Sequence, residues 1–555
     1  MHRRGLPWRA SARRASALAG LAGLALLGCS DPSSNPFDSA GGSTSSSSGS
    51  GGPTTALDST GGQGSTGGLD ETGGGIKLDV SFEDVPGIDP GCTPPDPGPD
   101  RVTPCTNQAP PDSFDAEVQW SWSNGESYHT PLVINLTDDN GNGEIDVCDT
   151  PDVVVLTGTA FGTLTVLDGA TGTEHFSIGA MLNAYVTPAV GDIDDDGLPE
   201  IVAATGTPFL ATLVAFEHDG THKWTSTQGV FTQSGSAIGI ANLDNVGPAE
   251  VYMGGIVVSG DTGATVFAKG PQAGALSDSL TASVAADLDG DGDLELIRGQ
   301  DAYHHDGSDY YVDTSLYGGF PQVANLDDDP EPEVLIISTQ GITVLEHDGT
   351  VKYANLRPSG DPAGFSWYRP ATVHDFDGDG TPEFAVSSAS HYAAYHADAS
   401  VMWIANVQDP SGIAAGTAFD FLGDGTAEAM FADEYHLFAF DVDGAPLMTV
   451  DRSSGTLIEY PSVADVDNDG AAEILVVSNV NFEGQQLTPT LQVIRDAEDR
   501  WIQARRIWNQ HTYHVTNINE DGTIPDFEPP SWAQLNTYRT NAQIEGGGLC
   551  VPPAG

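Results

Sequence analysis

A nine-residue phrase, Asp-x-Asp-x-Asp-Gly-x-x-Glu, returns along this chain at steps near 45 residues. It is complete at Asp192/Asp194/Asp196/Glu200, Asp287/Asp289/Asp291/Glu295, Asp375/Asp377/Asp379/Glu383 and Asp465/Asp467/Asp469/Glu473. Carboxylates at positions 1, 3, 5 and 9, with glycine at 6, fit a Ca²⁺ loop. The ion takes six to eight oxygens from alternate side chains and a backbone carbonyl, and the glycine permits the sharp turn. An apolar, β-rich run flanks each loop, as in VHDFDGDGTPEFAVS. The loop therefore joins two strands rather than two helices.

Weaker copies fill the intervals. Asn242/Asp244/Glu250 has Val246 at position 5, Asn325/Asp327/Asp329/Glu333 has Pro330 in place of the glycine, and Asp420/Asp424/Glu428 has Leu422 at position 3. An expanded first copy spans 135–155, where Asp138, Asn140, Asn142 and Asp146 are spaced as candidate ligands. There Pro151-Asp152 aligns with Pro199-Glu200, which makes Asp152 the alternative terminal acid of a longer loop from Asn135. From Asp138 the first ligands advance by 54, 50, 45, 38, 50, 45 and 45 residues. A period of that size means a solenoid, propeller or array.

Between loops each unit has room for four short strands and no helix. In the second unit these are PAVGDI, EIVAAT, LVAFE and THKWT, with His218-Asp219-Gly220 as a turn. Such units predict an all-β fold, a β-propeller of eight blades, with seven the alternative. AEVQWSWS at 116–123 and LQVIR at 491–495 are candidates to close the ring.

The loop phrase followed by an aliphatic run resembles the FG-GAP/VCBS repeat family, the calcium-bearing propeller of integrin α-chains. The likeness covers roughly residues 117–510. It implies that the ions are structural and that the acids above are their ligands. Val246, Pro330 and Leu422 depart from that pattern.

The ends read differently. Arg3, Arg4, Arg9, Arg13 and Arg14 precede a short apolar run that ends in Leu26-Leu27-Gly28-Cys29. This resembles a bacterial lipoprotein signal (residues 1–29), with Cys29 acylated, and Ser30 after it favours the outer membrane. The protein is then exported, periplasmic or surface-exposed, and held to the membrane through its N-terminal lipid. Residues 30–111 are rich in Ser, Gly, Thr and Pro and cannot bury a core, so they form a disordered tether. The propeller occupies 112–495 and a closing or capping segment 496–555. Four cysteines remain, Cys92, Cys105, Cys148 and Cys550, and an exported chain pairs them. Of three pairings we favour Cys92–Cys105 with Cys148–Cys550.

The net charge of −60 argues against nucleic acid as partner. The scarce positive charge gathers near the C-terminus, with aromatics: Arg500, Trp501, Arg505, Arg506, Trp508, His511 and His514. That cluster reads either as a ligand patch or as a cap pairing with blade carboxylates. No Gly-x-Ser-x-Gly, His-Glu-x-x-His or P-loop occurs, and no catalytic residue is assigned. The expectation is a monomeric binding or adhesion module for a protein or polysaccharide. A calcium-dependent polysaccharide lyase and an envelope scaffold are the alternatives.

Overall fold

The computed structural model describes residues 109–543 except 111–112, 208–209, 231, 233–234, 271–281, 328 and 411–412. The signal, the tether, Cys29, Cys92, Cys105 and Cys550 lie outside the described residues. Among those described there is no α-helix, and the all-β expectation is met.

The thirty-four strands of the described residues pair almost entirely antiparallel, in units of four. The second unit sets the pattern: Ala189–Gly191, Glu200–Thr207, Leu210–Phe216 and His222–Thr225, each beside the next. Eight such units follow along the chain, their first strands beginning at Leu132, Ala189, Gly239, Val284, Gly319, Thr372, Gly416 and Ser462. A single bridge, Leu182 to Thr205, merges the first two into one sheet. The eighth unit borrows its fourth strand from the start of the chain. Ala116–Trp122 lies antiparallel on Leu491–Asp496, from Ala116 opposite Asp496 to Trp122 opposite Leu491.

Burial follows position within a unit. Second strands such as Glu333–Ser338 and Glu473–Val477 are buried throughout. They carry unbroken aliphatic runs because both faces are covered. Fourth strands are largely exposed, and in Val401–Asn406 exposure alternates because one face meets water.

Neighbouring units are locked by one repeated contact. An aromatic residue of a fourth strand lies on the glycine of the next unit's third turn: Trp120 on Gly172, Phe176 on Gly220, Trp224 on Gly263, Phe267 on Gly307, Tyr311 on Gly349 and Trp403 on Gly444. Each of these glycines has φ between +67° and +83°. Both the backbone conformation and the ring above it require glycine. Trp120 Nε1 also donates to Gly169 O at 2.7 Å, and Trp224 Nε1 to Gly260 O at 2.5 Å. The Trp120 contact joins the eighth unit to the first.

Gly349→Ala tests this lock. A Cβ there would stand 2.7 Å from the Tyr311 ring at φ +83°. Gly484, at φ +77°, has nothing within 4 Å. Both substitutions carry the left-handed backbone cost of about 1–2 kcal/mol. Gly349→Ala adds overpacking, so its loss in urea unfolding should exceed that of Gly484→Ala by about 1–3 kcal/mol.

After Asp496 the chain forms no further strand of the sheets, and residues 501–518 are buried without a break. This segment runs along the first strands of the units. Trp508 exchanges backbone hydrogen bonds with Val133, and Tyr538 does so with Val373. Val190 N donates to Asn509 O, Ile240 N to Gln510 Oε1, and Asn541 Nδ2 to Val463 O. Asn325 N donates to Asn536 Oδ1, and Thr417 Oγ1 to Arg539 O. First strands of seven units, or the residues next to them, are thereby tied to one irregular segment.

Candidate metal centres

Each acidic loop joins the first strand of its unit to the second. One hydrogen bond recurs in all eight: the amide after the first loop position donates to the terminal acid. The donors are Leu136, Ile193, Leu243, Leu288, Leu326, Phe376, Phe421 and Val466, at 2.6–3.0 Å. The acceptors are Asp152, Glu200, Glu250, Glu295, Glu333, Glu383, Glu428 and Glu473, all buried. One carboxylate oxygen is thus spent on the loop backbone; the other meets Lys223 at Glu200, His304 at Glu295 and Lys352 at Glu333.

First-position acids curl the loop around themselves. Asp192 accepts amides of Asp194, Asp195 and Gly197, and Asp375 those of Gly378, Asp379 and Gly380. Asp287 and Asp420 each accept two. The sixth-position glycines, Gly197, Gly247, Gly292, Gly380, Gly425 and Gly470, all have φ between +71° and +98°. The fourth position is also left-handed, at Asp195, Asn245, Gly290, Gly378, Gly423 and Asn468. Gly, Asn and Asp are the residues that tolerate it, and each of these six loops carries one of them there.

The carboxylates converge. Oxygens of Asp192, Asp194 and Asp196, and of Asp287, Asp289 and Asp291, lie within 4.8 Å of one another. Asp196 and Glu200 also group with Glu217, and Asp289 and Glu295 with His304. In the eighth unit Asp465 Oδ1 and Glu473 Oε1 are buried without a hydrogen-bond partner. Buried, unpartnered carboxylate oxygens are costly unless a cation meets them. Such oxygen-only sets suit a hard divalent ion such as Ca²⁺, so the residues present fit the expected metal.

Without an ion the loops resist ionising. Burial, then the neighbouring Asp carboxylates, pushes Glu295 and Glu428 to about 8. Burial is the first cause for Glu200 and Asp152, also at about 8, and for Asp465 and Asp469, at about 7. Glu473 is raised well above its ordinary value by burial and by Asp467, Asp465 and Asp469.

The degenerate loops differ in detail. In the third loop Asp244 makes the same turn contact as the third-position acids Asp289, Asp377 and Asp467 of the full copies. Its Oδ1 accepts the Val246 amide at 3.0 Å and so caps the turn. Asn242 likewise turns inward on the loop backbone, accepting the Val246 amide at 3.2 Å and donating to Gly247 O at 2.9 Å. Position 1 is an amide and position 5 is Val246, exposed and without an oxygen to offer. Only two carboxylates remain in that loop, those of Asp244 and Glu250. They are near enough that Asp244 helps burial push Glu250 to about 7. That loop offers two carboxylates, where the second and fourth units each bring three Asp carboxylates together.

In the fifth loop Asn325 donates to Asp329 O at 2.5 Å and closes the turn in the same way. In the expanded first loop Asp138 accepts the amides of Gly141, Asn142 and Gly143, while Asn140, Asn142 and Asp146 cap local turns. The acid equivalent to the terminal Glu is Asp152, the alternative noted above. Asp149, which the spacing did not single out, is buried and accepts amides of Asp139, Asn140 and Asp146. Cys148 is disulfide-bonded, and its partner is outside the described residues.

Loops of neighbouring units touch. Asn468 Nδ2 donates to Asp149 O at 2.6 Å, Asn245 Nδ2 to Asp293 Oδ1 at 3.0 Å, and Gly378 packs on the Gly425 backbone. Beside the sixth and seventh loops lies a cavity of about 440 Å³, lined by His374, Asp375, Asp420, Asp424, Asn541 and Gln543.

The C-terminal Arg, His and Trp residues do not form an open patch. Arg500, Trp501, Arg505, Arg506, Trp508, His511 and His514 are all buried. Arg505 donates to Val515 O at 2.5 Å and Ile518 O at 2.6 Å and pairs with Glu520. Arg500 binds Asp496 at 2.6 Å, and His514 contacts Glu528 at 2.6 Å. Burial, with the charges of Arg539 and His129, drives His511 well below its ordinary range. These groups hold the segment in place.

No family model matches the sequence, and no curated protein matches it. Among solved structures the chain is similar to the V. cholerae biofilm matrix protein Bap1, at 22% identity and a TM-score of 0.66, over 78% of this chain and 99% of that one. A Bacillus licheniformis rhamnogalacturonan lyase, PL11, aligns at 14% identity and a TM-score of 0.45, over 78% and 82% of the two chains. The exotype rhamnogalacturonan lyase YesX aligns at 15% and 0.43, over 70% and 75%. With Bap1 the likeness is one of fold.

Proposed function

We propose that this chain is a calcium-stabilised propeller of eight blades, of the FG-GAP/VCBS kind, acting as a binding module at the cell envelope. Its partner class is a polysaccharide or glycoprotein. The observation that carries the reading is the hydrogen bond from loop amide to terminal acid, repeated in all eight loops. It supports one loop geometry used eight times, as a ring of equivalent blades requires. The pairing of Ala116–Trp122 with Leu491–Asp496 supports closure of that ring.

The signal-like residues 1–29 and the tether support a module outside the cytoplasm, anchored through Cys29. The fold shared with a biofilm matrix protein supports a matrix-facing role. The binding edge is the one that carries the acidic loops. An ion held there keeps coordination positions for sugar hydroxyls or carboxylates. The recess between the sixth and seventh loops gives such groups a place to enter.

The test is retention of the mature chain on polysaccharides and glycoproteins, in calcium and in chelator, with product release read alongside. Calcium-dependent retention without products is the expected result. Calcium-dependent release of cleaved sugar would assign the chain to the lyases instead. Absence of retention in both conditions would remove the glycan partner.

A further inference from the structure

The chain has four lysines, and two of them sit at equivalent places in the acidic loops. Lys223 is the second residue of the strand His222–Thr225, and Lys352 the second of Val351–Leu356. Each is the fourth strand of its unit, and this register position hangs over the loop's terminal acid.

Lys223 Nζ lies 2.5 Å from Asp194 Oδ2, 3.2 Å from Glu200 Oε1 and 3.2 Å from Glu217 Oε2. Lys352 Nζ repeats the set. It contacts Asp327, lies 2.9 Å from Glu333 Oε1 and 3.5 Å from Glu346 Oε1. Three ammonium protons meet three carboxylates in each case. Two of the three acids are the loop's own third and ninth positions. The third acid, Glu217 or Glu346, follows or closes the unit's third strand. Elsewhere the same register holds Glu117, Val266, Tyr310, Met402 or Leu447, and in the first unit His175, whose Nε2 lies 3.3 Å from Asp152 Oδ1; none of these is a lysine or arginine.

We propose that Lys223 and Lys352 are resident counter-cations which take the place of the metal in the second and fifth loops. The proposal rests on reading the loops as calcium sites. A Ca²⁺ bound 2.3–2.6 Å from the same oxygens would stand only about 3–4 Å from the ammonium. Two positive charges that close in a half-buried site repel strongly. Ion and lysine are therefore alternatives, and these two loops stay closed whatever the calcium level. The fifth loop has also lost the motif, through Asn325 and Pro330. The second has kept all four acids, which makes it the decisive case.

The experiment is calcium titration calorimetry on the full chain, stripped with chelator, counting ions per chain. Lys223→Met is expected to add about one ion, and the double variant with Lys352→Met at least as many. An unchanged count in both variants, with the parent chain binding calcium, overturns the proposal and leaves the loop reading intact. A parent chain that binds no calcium overturns the loop reading, and the proposal with it. Asp196→Asn gives a second readout that keeps the lysine. It is expected to leave the count as in the parent, whereas Asp291→Asn in the fourth loop removes about one ion. A loss of one ion in Asp196→Asn overturns the proposal.

Discussion

In chelator the chain should melt about 9 °C below its melting point in calcium. The figure follows from the loops of the fourth, sixth and eighth units, which keep all four acids and hold no lysine. Each ion that binds only the folded chain adds about 2.7 kcal/mol at a hundredfold excess over Kd, or about 8 kcal/mol for three. With an unfolding entropy of about 2.1 cal/mol/K per residue, the ordered part shifts by about 1 °C per kcal/mol. Single-loop variants divide the effect. Asp377→Ala should lower the melting point by about 3 °C in calcium, and by close to nothing in chelator. Its carboxylate accepts only the Asp379 amide, at 3.2 Å, so the metal-free loop loses little. Equal melting points in calcium and chelator would sink the structural role of the metal. A drop for Asp377→Ala in both conditions would mean that the carboxylate works through the backbone, not through an ion.

What the sequence made legible was whatever recurs locally. Loop ligands fall at fixed offsets, so the four full copies located their units, and the four-strand grammar followed from turn signals such as His218-Asp219-Gly220. The closing strand was legible too, because Ala116–Trp122 is an isolated strand pattern that needs a partner. Offsets say less where a copy is incomplete. Asp244 keeps the third position of its loop and the contact to the amide two residues on that Asp377 also makes, but no acid stands with it at positions 1 and 5. The lock between units was also less visible. Trp224 and Tyr311 each follow a turn glycine of their own unit by four residues, and Trp403 follows Ala399 by four, but each packs on the glycine of the next. Only the three-dimensional order of units reveals that.

The C-terminal segment was the least legible. Arg505 and His511 in a polar, aromatic stretch resemble an exposed patch because composition says nothing about where an irregular chain runs. In the structure the Arg505 guanidinium binds backbone carbonyls and Glu520. The segment stays buried without strands because side chains such as Asn541 satisfy the inner strands' carbonyls. Lys223 and Lys352 were overlooked for a related reason. Their meaning depends on register across a sheet, which a single repeat does not display.

Acid should stabilise the metal-free chain and destabilise the calcium-bound one. Glu295, Glu428 and Asp152 sit at about 8 in the folded state, and Glu250 and Glu383 at about 7, with burial the leading cause in each. An unfolded carboxyl titrates near 4. The folded chain therefore binds more protons than the unfolded one between about pH 4 and pH 8, and stability falls as pH rises through that window. A full shift of three units would be about 4 kcal/mol for one group. Discounted to about 1 kcal/mol per loop for mutual coupling, acidification from pH 8 to pH 5 should raise the melting point in chelator by several degrees. The gain ends near pH 4. Below that, Asp496 and Glu520, which burial would raise but which Arg500 and Arg505 hold low, take up protons and lose their pairs. In calcium the sign reverses. The ion binds the ionised loops, so each proton taken up at pH 5 competes with it. Melting curves at pH 8 and pH 5, each in calcium and in chelator, give four numbers. Opposite slopes are the expected result. Parallel slopes would mean that the loop carboxylates are already ionised without metal, and that the ion adds nothing to their folded state.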